Sequence, residues 1–167
     1  MTHLFAQPYD LAATGFYFET AEEYHAKVKA LRNEYGDPVE EFEIQFIDGE
    51  NIDYDLAKSI GLNQANFARY FEIVDAWEEW EKRLVVLAVG ECGFQFDDNT
   101  SPTDFDIDIY DVDSMRELAE QFVDEGLYGD IPERLQFYID YDAIVRDLAV
   151  EYSETVMSGF RIIYRCG

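Results

Sequence analysis

Three aspartates, Asp104, Asp106 and Asp108, occupy alternate positions in the second half of the chain. Carboxylates spaced in this way form the first ligands of a common calcium-binding loop. That loop also needs glycine at its sixth position and glutamate at its twelfth, where this sequence has Ile109 and Met115. The spacing therefore excludes a calcium loop of this type, and the alternation is better explained as one face of a β-strand.

Other catalytic or metal-binding chemistry has little support. His3 and His25 are the only histidines, and neither lies in an HExxH pattern or beside a cysteine. Cys92 and Cys166 lack metal-ligand spacing. Two carboxylates could serve a glycoside hydrolase, but 37 Asp and Glu residues make such a pair expected by chance. We therefore expect no catalytic, cofactor-binding or metal-binding residues, and a protein that is not an enzyme.

The charge is the most unusual property of the sequence. The 37 acidic residues outnumber 12 Lys and Arg, which gives a formal net charge of -25. Such self-repulsion destabilises a compact state, so it calls for a compensating role such as solubility or a strongly basic partner. Direct binding to nucleic acid is disfavoured, because phosphate contacts need Lys and Arg. No five acids are consecutive and 48% of residues are hydrophobic, so the acids belong to folded elements.

Three sets of acids are spaced to share one face of a predicted strand or helix. The sets are Asp104, Asp106 and Asp108 on a strand, and Glu72, Asp75 and Glu79, then Glu117, Glu120 and Asp124, at helical spacing. Aspartates on alternate strand positions would stand about 6.6 Å apart. Each set alone is most simply a solvated face. The 25 net charges together equal the phosphate charge on about 43 Å of duplex DNA. Ordered carboxylates at that density would compete with DNA for a basic groove.

The pattern of apolar residues predicts an α+β fold with three domains. A small α+β domain covers residues 1–51, a helical domain covers 52–92, and a second α+β domain covers 93–167. Strands are predicted at 15–18, 40–48, 104–110, 152–157 and 160–165, and helices at 20–35, within 53–89, and at 113–125, 132–138 and 141–149. Residues 84–89 fit a strand or a buried helix end equally well. Thr20 and Glu23 form a capping box, and Ser158-Gly159 predicts a two-residue hairpin turn.

The sequence shows neither a secretion leader nor a membrane span. The first residues lack a basic region followed by a continuous apolar run, and the longest apolar stretch covers only residues 84–89. We therefore expect a cytoplasmic protein with no membrane association.

The tetrapeptide Ile-Asp-Tyr-Asp occurs twice, at residues 52–55 and 139–142. Each copy precedes a predicted helix. An internal duplication would explain this, but the flanking residues do not match closely. The simpler explanation is that aspartate is a good N-cap in both places.

Residues 127–148 closely resemble the antirestriction motif of the ArdA family. The residues of this antirestriction-like motif are Leu127, Pro132, Leu135, Tyr138, Asp140, Tyr141, Arg146, Asp147 and Leu148. Further similarities lie at residues 15–18 and 59–63, so the resemblance covers most of the chain. Ile144-Val145 before Arg-Asp-Leu, and Tyr17 or Phe16 in place of a tryptophan often found near the first strand, depart from the common pattern but keep apolar bulk.

The resemblance implies an elongated three-domain protein that dimerises through its C-terminal domain and mimics bent B-form DNA. The implied partner is a type I restriction-modification enzyme, whose methyltransferase and specificity subunits the homodimer would bind without a cofactor. Such proteins protect incoming DNA and are typically carried by mobile genetic elements. The alternative is a general acidic module that sequesters another basic or DNA-binding protein. Adaptation to high salt is less favoured, since the chain has 13 Phe and 12 Tyr.

Within the motif, the mixture of charged and apolar residues predicts a capped helix. Asp140 should be its N-cap, and Asp142 should pair with Arg146 four residues later, so that Arg146 organises negative charge. The apolar positions, which should pack into the domain core or a dimer interface, are Tyr141, Ile144, Val145 and Leu148. The segment could equally be a simple core element, with function carried by acids elsewhere.

Overall fold

The computed structural model describes all residues, Met1–Gly167, as a mixed α+β protein. The chain forms two compact units, Met1–Asp104 and Phe105–Gly167. Each unit contains a three-stranded antiparallel sheet and helices. The predicted α+β class is confirmed. Three separate domains and an elongated arrangement remain predictions.

The sheet of the first unit consists of β1 (His3–Pro8), β2 (Phe16–Phe18) and β3 (Phe42–Asp48), in the order β2-β1-β3. The sequence pattern predicts β2 and β3 but not β1. Leu4 and Ala6 of β1 are fully buried, as a half-buried strand requires. Phe5 lies between them on the outer face, where its ring contacts Tyr17 at 4.7 Å. This outward phenylalanine hides the polar-apolar alternation by which strands are recognised.

Helix α1 (Ala21–Ala30) begins where the capping box predicts. The backbone N–H of Glu23 donates to Thr20 Oγ1 at 3.1 Å, and the Glu23 carboxylate accepts from the N–H of Glu19 at 2.9 Å. The helix ends five residues before the predicted end at Tyr35. The side chain of Asn33 accepts from two backbone N–H groups, those of Tyr35 and Asp37. Such local hydrogen bonds compete with the helical ones and favour a turn.

Three helices follow in the predicted helical region: α2 (Asn51–Ile60), α3 (Phe67–Ala76) and α4 (Glu79–Gly90). The ambiguous residues 84–89 therefore belong to a helix. Aromatic contacts join the sheet to α1 and α3, since Phe18 lies 5.1 Å from Tyr24 and 5.5 Å from Phe67 between ring centroids. The sheet and the helical segment thus share one core within this unit.

A buried ion pair lies among these helices. Lys82 Nζ of α4 donates to Asp53 Oδ1 of α2 at 2.7 Å, and both side chains are more than nine-tenths buried. The hydroxyl of Tyr70 on α3 donates to the Asp53 carbonyl at 2.7 Å, and burial raises the pKa of that hydroxyl far above its usual range. Asp53 lies inside α2, and the N-cap of this helix is Glu50. The simpler explanation of the repeated tetrapeptide is wrong for the first copy.

The second unit contains the remaining regular elements. They are β4 (Ile107–Tyr110), α5 (Met115–Asp124), α6 (Tyr141–Leu148), β5 (Ser153–Met157) and β6 (Phe160–Cys166). The sheet order is β4-β6-β5, so the last strand is central. Between α5 and α6 the predicted helix at 132–138 is a 3-10 helix, Glu133–Tyr138, in which no residue is buried.

The hairpin between β5 and β6 has the predicted two-residue turn. Met157 pairs with Phe160, and both turn residues have positive φ, 52° for Ser158 and 82° for Gly159. Positive φ at both central positions is the geometry whose twist matches that of the flanking strands. No helix of the chain is both long enough and apolar enough to cross a bilayer.

Removal of the Lys82 ammonium should strongly destabilise the protein. Lys82→Met leaves the Asp53 carboxylate buried without its partner, and such a loss lowers the free energy of unfolding by about 3–5 kcal/mol. Urea unfolding followed by circular dichroism measures the change. Lys58→Met, at an exposed lysine of α2, is the matched control and should change stability little. Equal losses for the two variants would contradict the importance of the buried pair, and Asp53→Leu added to Lys82→Met should recover part of the loss.

Candidate functional site

The predicted row of Asp104, Asp106 and Asp108 does not form one strand face. Asp104 ends a 3-10 helix, Pro102–Asp104, in the first unit, where its carboxylate accepts from the N–H of Ser101 at 2.9 Å. Asp106 precedes β4, and only Asp108 lies within that strand. Proline at the first helical position and a serine before it favour this turn, which competes with extension of the strand. The prediction of an aspartate row is wrong.

The charge of Asp108 is also compensated. Arg165 lies directly opposite it on β6, and the guanidinium donates to Asp108 Oδ2 from Nη2 at 2.6 Å and from Nε at 3.0 Å. The hydrogen bond with Asp108 raises the pKa of Arg165 above its usual value. The same guanidinium lies over the ring of Tyr152 and 3.5 Å from Glu151. Asp108 therefore stabilises the sheet and contributes little free negative charge.

The second predicted set is divided between two helices. Glu72 and Asp75 are exposed on α3, whereas Glu79 begins α4. Trp77 between them is extended, and the backbone N–H of Glu78 donates to the Glu81 carboxylate at 2.8 Å to open the new helix. Neither glycine nor proline marks this break, and the cap uses glutamate in place of the usual Ser or Thr. The continuous stripe predicted here is wrong.

The third set lies on one helix, as predicted. Glu117, Glu120 and Asp124 are all exposed on α5, opposite a buried face that includes Leu118 and Phe122. Two of the three have local partners. Glu117 accepts from the N–H of Asp113 at 3.0 Å, and Glu120 lies 3.1 Å from Arg116. Asp124 forms no ion pair, so this acidic stripe presents both compensated and uncompensated charge.

The antirestriction-like motif falls into two parts, and its first part is exposed. Leu127, Pro132, Leu135 and Tyr138 lie in or before the 3-10 helix with their side chains largely in solvent. Phe137, which sequence analysis did not select, is 96% exposed, and Tyr138 is 82% exposed. These side chains form an exposed apolar segment that the fold of the second unit leaves uncovered. The exposure of these side chains could not be predicted from the spacing of the apolar residues, because spacing does not show whether another element packs against a 3-10 helix.

The second part of the motif forms α6 and packs as predicted. The Asp140 carboxylate accepts from the N–H of Ala143 at 3.1 Å and caps the helix. Leu148 belongs to the core of the second unit. The other apolar residues of α6 that pack against this core are Tyr141, Ile144 and Val145. Arg146 and Asp147 are exposed on the opposite side.

The predicted pair between Asp142 and Arg146 is not formed. Asp142 instead lies 3.5 Å from Nη1 of Arg116 on α5, whose guanidinium also lies over the ring of Tyr141 at 5.1 Å. A cation on a neighbouring helix thus replaces the one four residues away on the same helix. Arg116 joins α5 to α6, a role that sequence analysis missed because the two residues are far apart along the chain.

The remaining candidate groups are engaged in structural contacts. His3 lies 2.8 Å from Glu19, and the ring of His25 contacts those of Tyr24 and Phe67. No three His, Cys, Asp or Glu side chains are grouped so that they could hold a metal ion. The site residues on the surface therefore present charge and apolar side chains.

Comparison with known proteins identifies the family. No curated protein matches the chain. A family model described as antirestriction protein (ArdA) matches residues 7–161, which include all six α-helices, the entire motif and every strand except most of β1 and β6. The chain therefore belongs to the ArdA family of antirestriction proteins.

Proposed function

We propose that the protein inhibits type I restriction-modification enzymes by occupying, as a mimic of DNA, the groove formed by their methyltransferase and specificity subunits. The observation that carries this proposal is a net charge of -25 on a folded chain of an antirestriction family. An inhibitor that acts by occupation needs no catalytic residue and no cofactor. The protein would protect incoming DNA carried by mobile elements, and it would act in the cytoplasm.

The exposed carboxylates supply the attraction in this proposal. Glu72 and Asp75 on α3 and the acidic stripe of α5 point to solvent, while the 12 Lys and Arg residues are too few to neutralise 37 acids. Charges spread over a surface speed the association with a basic groove, and their effect weakens with salt. Binding should therefore depend on the sum of many carboxylates and hardly on any one of them.

The exposed apolar segment of the second unit supports the proposed homodimer. Phe137, Tyr138 and Leu127 would be unusual as permanent surface on a soluble monomer, and burial against a second copy would remove them from water. A dimer doubles the number of charges that face the enzyme. The elongated three-domain shape, with a track of charge along it, is part of the same proposal.

One observation favours the alternative, an acidic module that sequesters some other basic protein. Two of the three predicted acid sets are interrupted or compensated, so the charge is distributed more than it is aligned. The two functions differ in their partner, and competition with DNA on a type I methyltransferase separates them.

Neutralisation of the α5 stripe should weaken inhibition in proportion to the charge removed. Glu117→Gln, Glu120→Gln and Asp124→Asn combined should raise the concentration that displaces duplex DNA by about tenfold at 0.1 M salt, at about 0.5 kcal/mol for each exposed charge. Each single change should have an effect below about threefold. Fluorescence anisotropy of labelled DNA bound to a type I methyltransferase core measures displacement.

The control for this experiment reverses the sign of the change. Lys58→Gln, at an exposed lysine of α2, makes the net charge more negative and leaves the contacts between α5 and α6 in place. It should keep or improve displacement. Failure of the wild-type protein to displace DNA at low salt would reject the DNA-mimic proposal in favour of the alternative.

Disruption of the exposed apolar segment should separate the dimer. Phe137→Ser combined with Tyr138→Ser removes apolar surface that is not needed by the core, so each unit should stay folded. Sedimentation velocity should show a shift from dimer to monomer, and small-angle scattering should show a shorter particle. Tyr35→Ser, a similarly exposed position in the first unit, is the control and should leave the dimer intact. A dimer that persists in the double variant would place the interface elsewhere.

A further inference from the structure

Three large side chains in the loops of the first unit are exposed to solvent. Leu11 is 100% exposed, Tyr35 is 79% exposed and Tyr9 is 64% exposed. We call Tyr9, Leu11 and Tyr35 the apolar loop patch. It lies on two loops, one after β1 and one after α1, and it has no part in the core of its unit.

Hydrogen bonds join these two loops to each other. The N–H of Glu34 donates to the carbonyl of Ala12 at 2.8 Å, and Asn33 Nδ2 donates to Asp10 Oδ2 at 2.9 Å. The other oxygen of Asp10 accepts from the N–H of Ala12 at 2.9 Å. The hydrogen bond from Asn33, followed by that from Ala12, holds the pKa of Asp10 below its usual value.

Asn33 fixes its own loop as well. Its Oδ1 accepts from the N–H groups of Tyr35 and Asp37, both at 2.9 Å, and its backbone N–H donates to the carbonyl of Asp37. Leu11 and Tyr35 therefore extend from backbone that is already ordered. Binding through these side chains therefore avoids the entropy cost of ordering the loop backbone, and such preorganisation favours an interface anchor.

The charge around the patch determines what can cover it. Exposed acidic residues lie on or directly after the loop that carries Tyr35, namely Glu34, Asp37, Glu40 and Glu41, and Arg32 is the cation within this loop. A second copy of this chain, a nucleic acid or an anionic lipid surface would be repelled there. A protein surface with basic residues around an apolar depression would complement both the charge around the patch and the apolar side chains within it.

An adjacent cavity has the same mixed character. It has a volume of about 270 Å³ and a lining that is more polar than apolar, made by Tyr9, Asp10, Pro38, Val39, Glu40 and Glu41. Three acidic residues beside apolar ones suit a long basic side chain, whose stem is apolar and whose end is cationic. The patch and this cavity together present one surface to a basic partner.

We infer that the apolar loop patch is a second contact with the enzyme that the carboxylates attract, and that it supplies the part of the affinity that salt does not screen. This inference rests on the proposed function. Salt screens exposed charges over a Debye length of about 8 Å at 0.15 M, whereas burial of apolar surface persists at high ionic strength. The contributions of the carboxylates and of the patch to the affinity can therefore be told apart when binding is measured at two salt concentrations.

The test compares neutral substitutions at the patch with the wild-type protein. Leu11→Ser, Tyr35→Ser and their combination keep the net charge, and exposed positions can be changed without loss of the core. The dissociation constant for a type I methyltransferase core is measured by calorimetry at 0.1 and 0.5 M NaCl. The combined variant should bind at least about tenfold more weakly than wild type at both salt concentrations, as expected for loss of an interface anchor. The ratio of the dissociation constant at 0.5 M NaCl to that at 0.1 M reports the contribution of charge. This ratio should be the same for the combined variant and the wild-type protein.

Two controls separate loss of the patch from loss of the fold. Leu11→Met keeps apolar bulk at the same position and should bind as wild type does. Val150→Ser, at an 84% exposed position in the second unit, should also leave binding unchanged. Thermal unfolding and sedimentation confirm that every variant keeps the stability and oligomeric state of the wild-type protein.

Each outcome has one interpretation. If the wild-type protein binds and the combined variant has the same dissociation constant, the inference is overturned and the proposed function stands. Weaker binding only at 0.1 M would also overturn it, because the effect would then be electrostatic. If the wild-type protein does not bind the methyltransferase at either salt concentration, the proposed function fails and the inference fails with it.

Discussion

Repulsion among 37 carboxylates is the constraint to which the rest of the structure is fitted. A chain with net charge -25 stays folded only if apolar burial offsets the repulsion among its acids, which is least when the acids face solvent. Helix α5 shows this arrangement most clearly, with Leu118 and Phe122 buried and Glu117, Glu120 and Asp124 exposed. The aromatic core of the first unit, built on Phe18, Tyr24 and Phe67, supplies opposing stabilisation. Apolar burial thus keeps the chain folded, and the surface charge remains free for a partner.

Three of the 12 cations form ion pairs that join elements of the fold. Lys82 compensates a buried aspartate, Arg165 joins β4 to β6 through Asp108, and Arg116 joins α5 to α6. Each bond joins elements that the acids alone would push apart. Because the cations are used in this way, they neutralise particular structural carboxylates and leave others, such as Asp75 and Asp124, uncompensated. This division favours a surface that attracts basic proteins and repels nucleic acid.

Local patterns in the sequence predicted most of the regular elements. The N-cap at Thr20, the hairpin at Ser158-Gly159 and the cap at Asp140 depend on residues close together in the chain, and all three were confirmed. The failures depended on information that periodicity does not contain. Asp53 has a partner 29 residues away, and β1 has a phenylalanine on its outer face.

The candidate site was predictable in its composition and less so in its geometry. The acids of α5 share one face because a single helix holds them, whereas those of α3 and α4 are separated by a break that no glycine or proline marks. The motif was found from its resemblance to a family. Its capped helix followed from local rules, but the exposure of Phe137 did not, because burial depends on what packs against a segment.

Charge and apolar surface have different effects on the recognition of a basic groove. Long-range attraction brings the two surfaces together but tolerates many orientations, since a field of distributed carboxylates has no single contact point. Apolar anchors act only at contact and therefore fix one orientation. The chain provides exposed apolar side chains in both units, Leu11 and Tyr35 in the first and Phe137 and Tyr138 in the second. A protein that competes with DNA by charge alone can select among basic grooves only through the arrangement of its carboxylates, and apolar contacts add a second source of selectivity.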